Sequence, residues 1–500
     1  MKSNGGDSNG GDSGGRADES CEVLVVGAGA TGLTLGCDLA RRGVRVRVIE
    51  RRDRLFPGSR GRGLQPRTQE VFDDLGVIGA IRAAGGPYPR MLSWVGPEPQ
   101  RTWDLVEPAT ARAGVPYPAP WMVAQWRTQD ILLERLRELG GEVEFATALT
   151  SWNQDRQSVR ATLTRPDHGP ATVRADYLVG ADGSHSTVRE TIGVAMTSET
   201  IDPRPALIAD VRLTGLDRDN WHMWPKAPGG TLALCPVPGT DHFQLSARFD
   251  EGPVDASPAG VRAVIAARTP LSAAAVGEVP WISVYHPKAA LAERFRVDRA
   301  FLAGDAAHVH PPSGGQGLNT GVQDAYNLGW KLGRRLRQGA PSALLDSYEQ
   351  ERRPVAAGVL GLSTRLHQAS RGQGPATVRR GRATSQLDIG YPDSPLTVED
   401  RPDPSDDLLR AGARVPDATV GDSTRLFDLL RGPQAVLLAV GQPGPTAPRA
   451  DLADLAVLEF AELAPFGPGL FLIRPDGYLG LATRDPAAVT AYLRLIGSAA

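Results

Sequence analysis

Apolar residues in this chain form two kinds of run, short stretches that end abruptly and longer stretches with helical spacing. Residues 22–26 and 45–49 are short apolar runs, which stop at Gly27 and Glu50 respectively. The residues between them carry a helix pattern that includes Leu39. Buried strands that alternate with helices predict an α/β fold.

The stretch from residue 300 to residue 332 repeats this order, and the rest of the chain is organised around it. A strand is predicted at 300–303, and Gly304 and Asp305 end it. A loop of small residues and prolines follows, and recurring apolar positions predict a helix from about 318 to 336. A carboxylate at a strand end and bare N–H groups at a helix start can together hold a polar cofactor. An ordinary strand–loop–helix with flexible glycines gives the same local pattern.

Residues 195–295 have a different pattern, in which apolar and polar positions alternate. The alternation at 206–213 and 242–248 predicts an antiparallel sheet. The same region contributes large apolar side chains at Trp221, Met223, Trp224 and Trp281. These side chains either belong to the core or form a wall for a planar, apolar substrate.

The C-terminal part of the chain predicts a smaller unit after a linker. A long helix is predicted from 344 to 363, followed by a segment rich in Gly, Pro and charged residues. Residues 409–500 are then predicted to hold strands at 435–440 and 469–474 and a helix near 487–496.

Composition limits the classes of protein to which the chain can belong. Five hundred residues predict two or three domains, and 41% apolar with 22% charged residues is typical of globular proteins in water. A net charge of −2 gives no reason to expect nucleic acid or anionic lipid as a partner, and no apolar run approaches the ~20 residues of a membrane helix. Three cysteines without a CxxC pair or metal-ligand spacing suggest a reducing cytoplasm and no disulfide framework. The Gly/Ser/Asp/Asn-rich residues 1–20 predict a disordered tail, not a secretory signal.

Residues 27–32 read GAGATG and match the GxGxxG pattern in its structural context. A predicted strand precedes the motif, a helix follows, and Glu50 stands 18 residues beyond the last glycine. Gly27 suits the tight turn, Gly29 the approach of a pyrophosphate, and Gly32 close contact of helix and strand. Glu50 suits ribose hydroxyls. The motif therefore predicts a bound dinucleotide, without deciding between NAD and FAD.

Two later stretches carry further candidate chemistry. Arg60 and Arg62 stand among glycines, which suits a loop near phosphates or a ring face but equally a solvated basic loop. A second strand-then-turn pattern ends at Asp182 and Gly183, where a turn-stabilising Asp is the simpler interpretation.

Four motifs follow one another along the chain. They are GAGATG at 27–32 with Glu50, RGRGL at 60–64 with Gln125 downstream, ADG at 181–183 with Arg189, and GDAAHVHPPSGGQGLN at 304–319. In this order they resemble the FAD-dependent aromatic hydroxylases, the group A flavoprotein monooxygenases similar to p-hydroxybenzoate hydroxylase. Within that group the chain most resembles the bacterial aromatic polyketide oxygenases. The resemblance covers roughly residues 21–365, and the tail resembles their thioredoxin-like domain without its CxxC, which implies a structural role.

The resemblance implies an α/β architecture of three parts. A Rossmann-like FAD-binding domain would comprise 21–195 plus 290–370. An inserted antiparallel β-sheet substrate domain would comprise 196–289 and take in part of 85–120. A linker at 371–408 and the thioredoxin-like domain at 409–500 would complete the chain.

The resemblance also assigns roles to individual residues. Arg62, beside the isoalloxazine, and Pro312, at the flavin edge near the reaction space, are the implied catalytic residues. The implied cofactor-binding set is Gly27, Gly29, Ala30, Thr31, Gly32, Glu50, Arg51, Arg60, Arg62, Gln125, Asp182, Gly183, Asp305, Pro312, Gly315, Gly317, Leu318 and Asn319. Asp305 would bind the ribityl or phosphate end of FAD, and Leu318 with Asn319 would meet the pyrimidine ring. Ala30 replaces the proline usual in the first motif.

The implied reaction is hydroxylation of an aromatic ring. NADPH or NADH would bind transiently, which fits the absence of a second GxGxxG, and would reduce FAD. Reduced flavin and O₂ would give the C4a-hydroperoxide, whose distal oxygen passes to an aromatic polyketide or related polycyclic phenol. The expected setting is antibiotic biosynthesis by a cytoplasmic monomer or homodimer.

Several alternatives share parts of this pattern. The same scaffold can carry Baeyer–Villiger oxidation, epoxidation or oxidative rearrangement of a polyketide quinone. A flavin-binding protein without turnover is a different class, against which the retained Asp305 and Pro312 argue. The absence of a WxWxIP stretch disfavours a halogenase, and the absence of a GxSxG elbow disfavours a hydrolase. His308 and His310 form no complete metal-ligand set, and no residue stands out as a base for the phenol.

Overall fold

The computed structural model describes residues 19–108, 110–166, 169–311, 314–372, 379–402, 404–421, 423–444 and 455–497. Up to residue 195, the helices and strands are β1 (Glu19–Val26), α1 (Ala30–Ala40), β2 (Val46–Ile49), β3 (Gly63–Leu64), α2 (Pro66–Asp74), α3 (Ile78–Ala83), β4 (Arg90–Val95), β5 (Glu98–Trp103), β6 (Trp121–Met122), α4 (Gln125–Glu138), β7 (Val143–Glu144), β8 (Ala148–Gln154), β9 (Val159–Arg165), β10 (Gly169–Gly180) and α5 (Thr187–Thr191).

The middle of the chain continues with β11 (Met196–Thr200), β12 (Ala206–Arg212), β13 (Asn220–Ala227), β14 (Gly230–Pro236), β15 (His242–Arg248), α6 (Pro258–Arg268), β16 (Trp281–Tyr285), β17 (Lys288–Ala292), β18 (Arg296–Val297), β19 (Ala300–Leu302), β20 (His308–Val309), α7 (Gly317–Arg337), α8 (Ala343–Gly372) and α9 (Arg382–Ser385). The last part contains β21 (Val398–Glu399), β22 (Thr419–Val420), β23 (Thr424–Arg425), α10 (Leu426–Leu430), β24 (Ala435–Val440), β25 (Leu455–Phe460), β26 (Gly469–Ile473), β27 (Leu479–Thr483) and α11 (Pro486–Leu495).

A parallel sheet in the order β19, β10, β1, β2, β7 forms the centre of the molecule. β1 is a nearly continuous apolar run and is buried over residues 21–26, as expected for a strand covered on both faces. The antiparallel strands β9 and β8 extend the sheet beyond β10, and α1 contacts both α4 and α7. The predicted α/β class with more than one sheet is therefore confirmed.

Two glycines of α7 allow α1 and α7 to cross closely. A methyl group at Gly329 would overlap the carboxylate of Asp38, and one at Gly321 would overlap the hydroxyl of Thr31. Because Thr31 lies in the first turn of α1, the crossing brings the amino-terminal ends of the two helices together.

A seven-stranded sheet in the order β16, β12, β15, β14, β13, β4, β5 forms the second part. All neighbours are antiparallel except β13 and β4. One face, including Leu207, Ala209 and Val211, packs with α6 into a separate core. The strands predicted at 206–213 and 242–248 are confirmed as β12 and β15.

A mixed sheet in the order β21, β27, β26, β24, β25 forms the C-terminal part. The strands predicted at 435–440 and 469–474 correspond to β24 and β26, both fully buried. β21 pairs in parallel with β27 although it lies inside the predicted linker 371–408. The linker prediction was wrong there, because the pairing partner lies about 80 residues away and leaves no local signal. The thioredoxin-like identity of this part and the boundaries of the three domains stay predictions.

The predicted tail 1–20 is wrong at its last two residues. Glu19 and Ser20 belong to β1, where they pair with Val173 and Arg174 of β10. Residues 1–18 lie outside the described residues. No helix among the described residues is long and apolar enough to span a bilayer.

Candidate functional site

The glycine motif forms the turn between β1 and α1, and its glycines have different tasks. Gly27 has a φ of +106°, and a methyl group there would overlap the carbonyl of Ala181. A methyl group at Gly32 would overlap the carbonyl oxygen of Gly27. No heavy atom lies within 4 Å of the position that a Cβ of Gly29 would take. The fold itself requires Gly27 and Gly32, whereas Gly29 leaves open space at the start of α1.

Glu50 lies beside this turn. Its carboxylate accepts hydrogen bonds from the backbone N–H of Ala28 (3.1 Å) and of Arg52 (3.1 Å). Arg51, which follows Glu50 in the chain, is exposed. The acid is thus fixed at the end of β2, next to the open space at Gly29, which is the arrangement that a ribose beside a pyrophosphate requires.

The loop after β19 meets the same helix start. Gly304 has a φ of +61°, and a methyl group there would lie 2.6 Å from Thr31 Oγ1. Asp305 follows in a short 3₁₀ turn, and its side chain is accessible to solvent. Burial among the surrounding residues nevertheless raises the pKa of its carboxyl group, while His308 and Arg60 act to lower it. A side chain that is accessible and yet closely surrounded by protein lies in the wall of a cleft.

Arg189 joins the ADG turn to this loop. Its guanidinium donates hydrogen bonds to the carbonyl oxygens of Ala306 (3.0 Å) and Ser184 (2.9 Å). The two turns at the carboxyl ends of β10 and β19 are therefore held as one unit. From the sequence, Arg189 is identified only as part of a motif. Its hydrogen bonds show that it positions the two turns relative to each other.

The carboxylate of Asp182 is engaged within its own turn. It accepts hydrogen bonds from Ser186 Oγ (2.6 Å) and from the backbone N–H of Val188 (3.2 Å). Burial raises the pKa of this carboxyl group, although the hydrogen bonds act to lower it. The turn-stabilising interpretation thus has direct support, and contact of Asp182 or Gly183 with a cofactor stays a prediction.

The start of α7 is tied to the segment around β3 by Asn319. Asn319 Oδ1 accepts a hydrogen bond from Gln65 N–H (2.8 Å), and its Nδ2 donates to the carbonyl oxygens of Gly63 (2.8 Å) and Gly315 (2.9 Å). The side chain of Asn319 is therefore occupied by the protein itself. Any contact with a flavin ring would come from backbone N–H groups of the first turn, at Gly317 and Leu318, which an α-helix leaves unpaired.

Gln125 holds the next part of that segment. Its Oε1 accepts a hydrogen bond from Gly61 N–H (2.7 Å), and a Cβ on Gly61 would lie 3.2 Å from Leu318. Gln125, Gly61 and Leu318 thus meet at one point. The structure adds that Gln125 positions the loop, whereas its contact with FAD stays a prediction.

Residues 58–62, here called the arginine loop, cross the seven-stranded sheet along one row of side chains. The row, here called the sheet row, consists of Trp221, Cys235, Gln244, Asp210 and Trp281, from β13, β14, β15, β12 and β16. Gln244 pairs with both Cys235 and Asp210, and Asp210 pairs with Trp281. Trp221 lies opposite Cys235, because the next residue of β13, His222, pairs with Leu234. Directly opposite residues share a face, so the row faces away from the α6 core.

The arginine loop contacts the sheet row at several points. The Arg62 guanidinium lies 4.6 Å from the Trp221 ring centroid. Arg60 lies 5.8 Å from the ring of Trp281 and donates a hydrogen bond to Ser283 Oγ (2.8 Å). Gln244 Nε2 donates to the carbonyl oxygen of Ser59. Arg60 also acts electrostatically on Asp305, so it lies between the sheet and the cleft of Asp305.

The sheet separates the large apolar residues by burial, whereas their role as a wall for a substrate stays a prediction. Trp224 is 2% exposed and belongs to the α6 core. Trp221, Met223 and Trp281 are half-buried, and Trp221 and Trp281 lie in the sheet row. Trp221 and Met223 pack against a small apolar cluster of Met91, Trp103 and Leu105. Only the register assigns neighbouring residues of one strand to opposite faces of the sheet.

Asp210 is a candidate that sequence reasoning missed. It is 3% exposed, and neither carboxylate oxygen has a hydrogen-bond partner among the described residues. Burial raises its pKa to about 6, although Ser59 and Arg62 act to lower it. A single Asp in an alternating strand carries no signal, and only the register shows that it faces the arginine loop.

Asp210→Asn is expected to stabilise the protein at neutral pH. Because folding raises the pKa from 3.8 to about 6, the buried charge costs up to about 3 kcal/mol above pH 6. This cost shrinks as pH falls through 6 and vanishes below the unfolded value near 3.8. Urea unfolding at pH 7.5 and pH 4.5 should show a gain at the higher pH that is mostly lost at the lower. An equal gain at both values would contradict the assignment.

The remaining candidates lie around the loop before α7. Pro312 lies outside the described residues, so its implied catalytic role stays a prediction. Gly315 has a φ of +61°, which only glycine adopts readily. His310 Nε2 and His308 Nδ1 are 2.8 Å apart, and His308 Nε2 lies 2.6 Å from Asp324 Oδ2. The two histidines therefore belong to a hydrogen-bonded chain, and no metal-ligand cluster is found in the described part of the chain.

The residues fit FAD. Gly29 leaves space where a pyrophosphate would approach, and the adjoining helix start offers N–H groups to it. Glu50 is fixed for a ribose, and Asp305 offers an accessible carboxylate at the other end of the cleft. The contact of Gly304 with Thr31 joins the two ends of the site across 270 residues of sequence.

Comparison with known proteins identifies relatives along the chain. The family described as FAD binding domain matches residues 20–363. A flavin-dependent monooxygenase of Mycobacteroides abscessus is 43% identical over 480 residues, which cover 94% of this chain and 99% of the relative. A 12-dehydrotetracycline 5-monooxygenase/anhydrotetracycline 6-monooxygenase of Streptomyces rimosus is 34% identical over 505 residues, covering 92% and 94%. The crystal structure of aklavinone-11 hydroxylase with FAD and aklavinone aligns with a TM-score of 0.76 and 29% identity, covering 97% of this chain and 100% of that one.

Proposed function

Because the chain belongs to the FAD-binding family of flavin-dependent monooxygenases, we propose that it uses NAD(P)H and O₂ to hydroxylate an aromatic polyketide or a related polycyclic phenol. The relatives that act on tetracycline intermediates and on aklavinone support this substrate class. Biosynthesis of an antibiotic in the cytoplasm is the proposed setting. The C-terminal part, proposed as thioredoxin-like, has a structural role.

FAD supplies the redox chemistry when bound, since it accepts a hydride from NAD(P)H and then activates O₂ for transfer of one oxygen atom. The chain's own residues bind and orient it. The open space at Gly29 and the carboxylate of Glu50 would hold the adenosine half. Asp305 and the first turn of α7 would hold the flavin half, where the positive end of the helix suits a reduced, anionic ring.

The observation that carries the substrate class is the position of the sheet row. Its half-buried rings Trp221 and Trp281 lie against Arg62 and Arg60, and Arg60 also acts electrostatically on Asp305. Flat apolar walls with a few convergent polar groups suit a planar aromatic ligand. A cationic guanidinium also suits a substrate that carries acidic phenols.

The test is turnover with purified, FAD-loaded protein. Oxidation of NAD(P)H should accelerate in the presence of a tricyclic or tetracyclic phenol, and the product should be heavier by one oxygen atom. NMR of the product then distinguishes ring hydroxylation from Baeyer–Villiger oxidation, epoxidation or rearrangement. Protein that does not retain FAD, or NAD(P)H oxidation that no polycyclic phenol stimulates, would rule the proposal out.

Asp305→Ala is expected to weaken retention of FAD. The substitution removes the accessible carboxylate from the cleft, and with it at least one charge-assisted hydrogen bond to the cofactor, worth about tenfold or more in affinity. Flavin content after gel filtration and a fluorescence titration of the apoprotein measure the effect. Asp219→Ala, at an exposed acid before β13, is the matched control. Full flavin content and activity in Asp305→Ala would show that the loop does not contact FAD.

A further inference from the structure

The arginine loop is fixed to the rest of the protein on its two sides. On the side away from the seven-stranded sheet, Gly61 N–H donates a hydrogen bond to Gln125 Oε1 (2.7 Å), and the carbonyl oxygen of Arg62 accepts one from Val123 N–H (2.8 Å). A Cβ on Gly61 would also lie 3.2 Å from Leu318, in the first turn of α7. The position of the loop is therefore linked to the proposed flavin end of the site.

On the side of the seven-stranded sheet, the contacts begin at the first residue of the loop. A Cβ on Gly58 would lie 2.3 Å from an atom of the Trp281 ring, so the backbone there is in close contact with the ring. The carbonyl oxygen of the next residue, Ser59, accepts a hydrogen bond from Gln244 Nε2. Within the described part of the chain, this is the hydrogen bond that joins the sheet to the backbone of the loop.

The surroundings give this hydrogen bond more influence than the side-chain contacts of the loop. Ser59 is fully buried, and Gln244 is 5% exposed. A buried carbonyl group that loses its donor carries the full desolvation penalty, whereas an exposed cation beside an aromatic ring contributes little. Arg60 is exposed, as is its hydrogen bond to Ser283 Oγ. The backbone position of the loop therefore depends on Gln244.

We propose that Gln244 is a positioning residue, which fixes the arginine loop to the seven-stranded sheet and thereby places Arg60 and Arg62 for the substrate. The inference rests on the proposed function, because it concerns the two guanidiniums proposed to meet an acidic phenol. The hydrogen bond makes the backbone of the loop follow β15, so the sheet that offers the aromatic rings also sets where the guanidiniums lie.

The first experiment measures how firmly the loop is held, and it needs neither FAD nor substrate. Full-length apoprotein is digested briefly with trypsin, and the cleavage sites are identified by mass spectrometry. Gln244→Met keeps an unbranched side chain of similar length but has no donor for the Ser59 carbonyl oxygen. Cleavage after Arg60 and Arg62 should be about tenfold faster than in the wild type, as the loss of one buried hydrogen bond implies.

Cleavage after Arg268 is the internal reference for unfolding of the sheet. Arg268 is 7% exposed and lies in α6, which packs on the other face of the same sheet. It becomes accessible when the sheet unfolds, but not when the loop alone opens. Gln100→Leu, at an exposed position of β5, is the control and should keep the cleavage pattern of the wild type.

The outcomes of the digestion are distinct. Unchanged cleavage in the loop of Gln244→Met, or an equal increase after Arg268, overturns the proposal. Gln244→Asn has a shorter side chain that does not reach Ser59, and it takes the place of Gln244→Met if that variant does not fold. Its loop should also be cleaved faster, and unchanged cleavage would again overturn the proposal.

The second experiment compares kinetics with cofactor affinity. With FAD-loaded protein and a polycyclic phenol, kcat/KM should fall about tenfold in Gln244→Met, chiefly through a higher KM. The affinity of the apoprotein for FAD should stay within about twofold of the wild type, because the contacts of Gly61 and Arg62 on the other side of the loop remain. Gln100→Leu should change neither quantity. A loss of FAD affinity as large as the loss of kcat/KM would show a general structural defect and overturn the proposal.

The two experiments separate this inference from the proposed function. Faster loop cleavage in Gln244→Met, without any phenol-stimulated NAD(P)H oxidation by the wild type, would support the positioning of the loop and refute the hydroxylase. Phenol-stimulated turnover with unchanged loop cleavage would support the hydroxylase and refute the positioning role.

Discussion

Glu351→Ala is expected to lower the free energy of unfolding by about 3–5 kcal/mol, because it leaves buried positive charges without their partner. Glu351 accepts hydrogen bonds from Lys331 Nζ (2.7 Å), from both terminal nitrogens of Arg474 (2.7 and 2.9 Å), from Asn327 (2.7 Å) and from Ser394 (2.6 Å). Although burial opposes ionisation, Arg474 and Lys331 hold the pKa of Glu351 well below its usual range.

The position of Glu351 makes the loss structural as well as electrostatic. Glu351 lies on α8, Lys331 and Asn327 on α7, and Arg474 directly after β26. The carboxylate therefore joins α7, which begins at the proposed flavin end of the site, to the C-terminal sheet. Removing it loosens the contact between these two parts of the protein and exposes the apolar residues between them, among them Trp330 and Leu472.

Urea unfolding of the apoprotein measures this change, with Asp346→Ala as the control. Asp346 lies on the same helix and pairs with Arg296 at 2.6 Å, but its side chain is 60% exposed. An exposed pair of this kind contributes less than about 1 kcal/mol. If both variants lost a similar free energy of unfolding, burial of the Glu351 ion pairs would not be the reason that they stabilise the protein.

Gly29→Val is expected to weaken FAD binding by about 100-fold or more while leaving the apoprotein folded. No heavy atom lies within 4 Å of a Cβ at this position, and the backbone is extended, with φ −71° and ψ 177°, which valine readily adopts. The side chain would fill the space that the pyrophosphate needs, and overpacking of a close contact costs about 3 kcal/mol.

Gly32→Val is the contrasting variant. Its side chain would overlap the carbonyl oxygen of Gly27 and would approach Val25 within 3.4 Å, so the apoprotein itself should lose stability. FAD titration and urea unfolding on the two variants separate cofactor contact from helix–strand contact. A Gly29→Val protein that retains FAD would show that the pyrophosphate does not approach the chain at this glycine.

The sequence predicts those parts of the site that are encoded by short-range patterns. The helix expected from about 318 to 336 is α7, Gly317–Arg337, because its apolar spacing persists over five turns. The glycine turn and Glu50 could be predicted because the strand, the turn, the helix and the acid follow one another within about 30 residues. In each case the residues that determine the structure are neighbours in the sequence.

The parts that escaped prediction depend on register between distant segments. Alternation shows that a strand has two faces, but it does not show which neighbour stands opposite Asp210 or Trp221. Glu351 gave no signal in a predicted helix, since its partners come from α7 and from a residue 123 positions later. β21 was assigned to a linker for the same reason.

The single helix α7 connects the proposed flavin half of the site to the C-terminal sheet. Its first turn lies at the proposed flavin end, and its later turns carry Asn327 and Lys331 into the cluster of Glu351. Free-energy coupling between two binding processes is reciprocal. If docking of the C-terminal sheet stabilises bound FAD, then bound FAD stabilises that docking by the same free energy. The C-terminal part, which offers no CxxC for redox chemistry, would then act as a thermodynamic partner of the coenzyme.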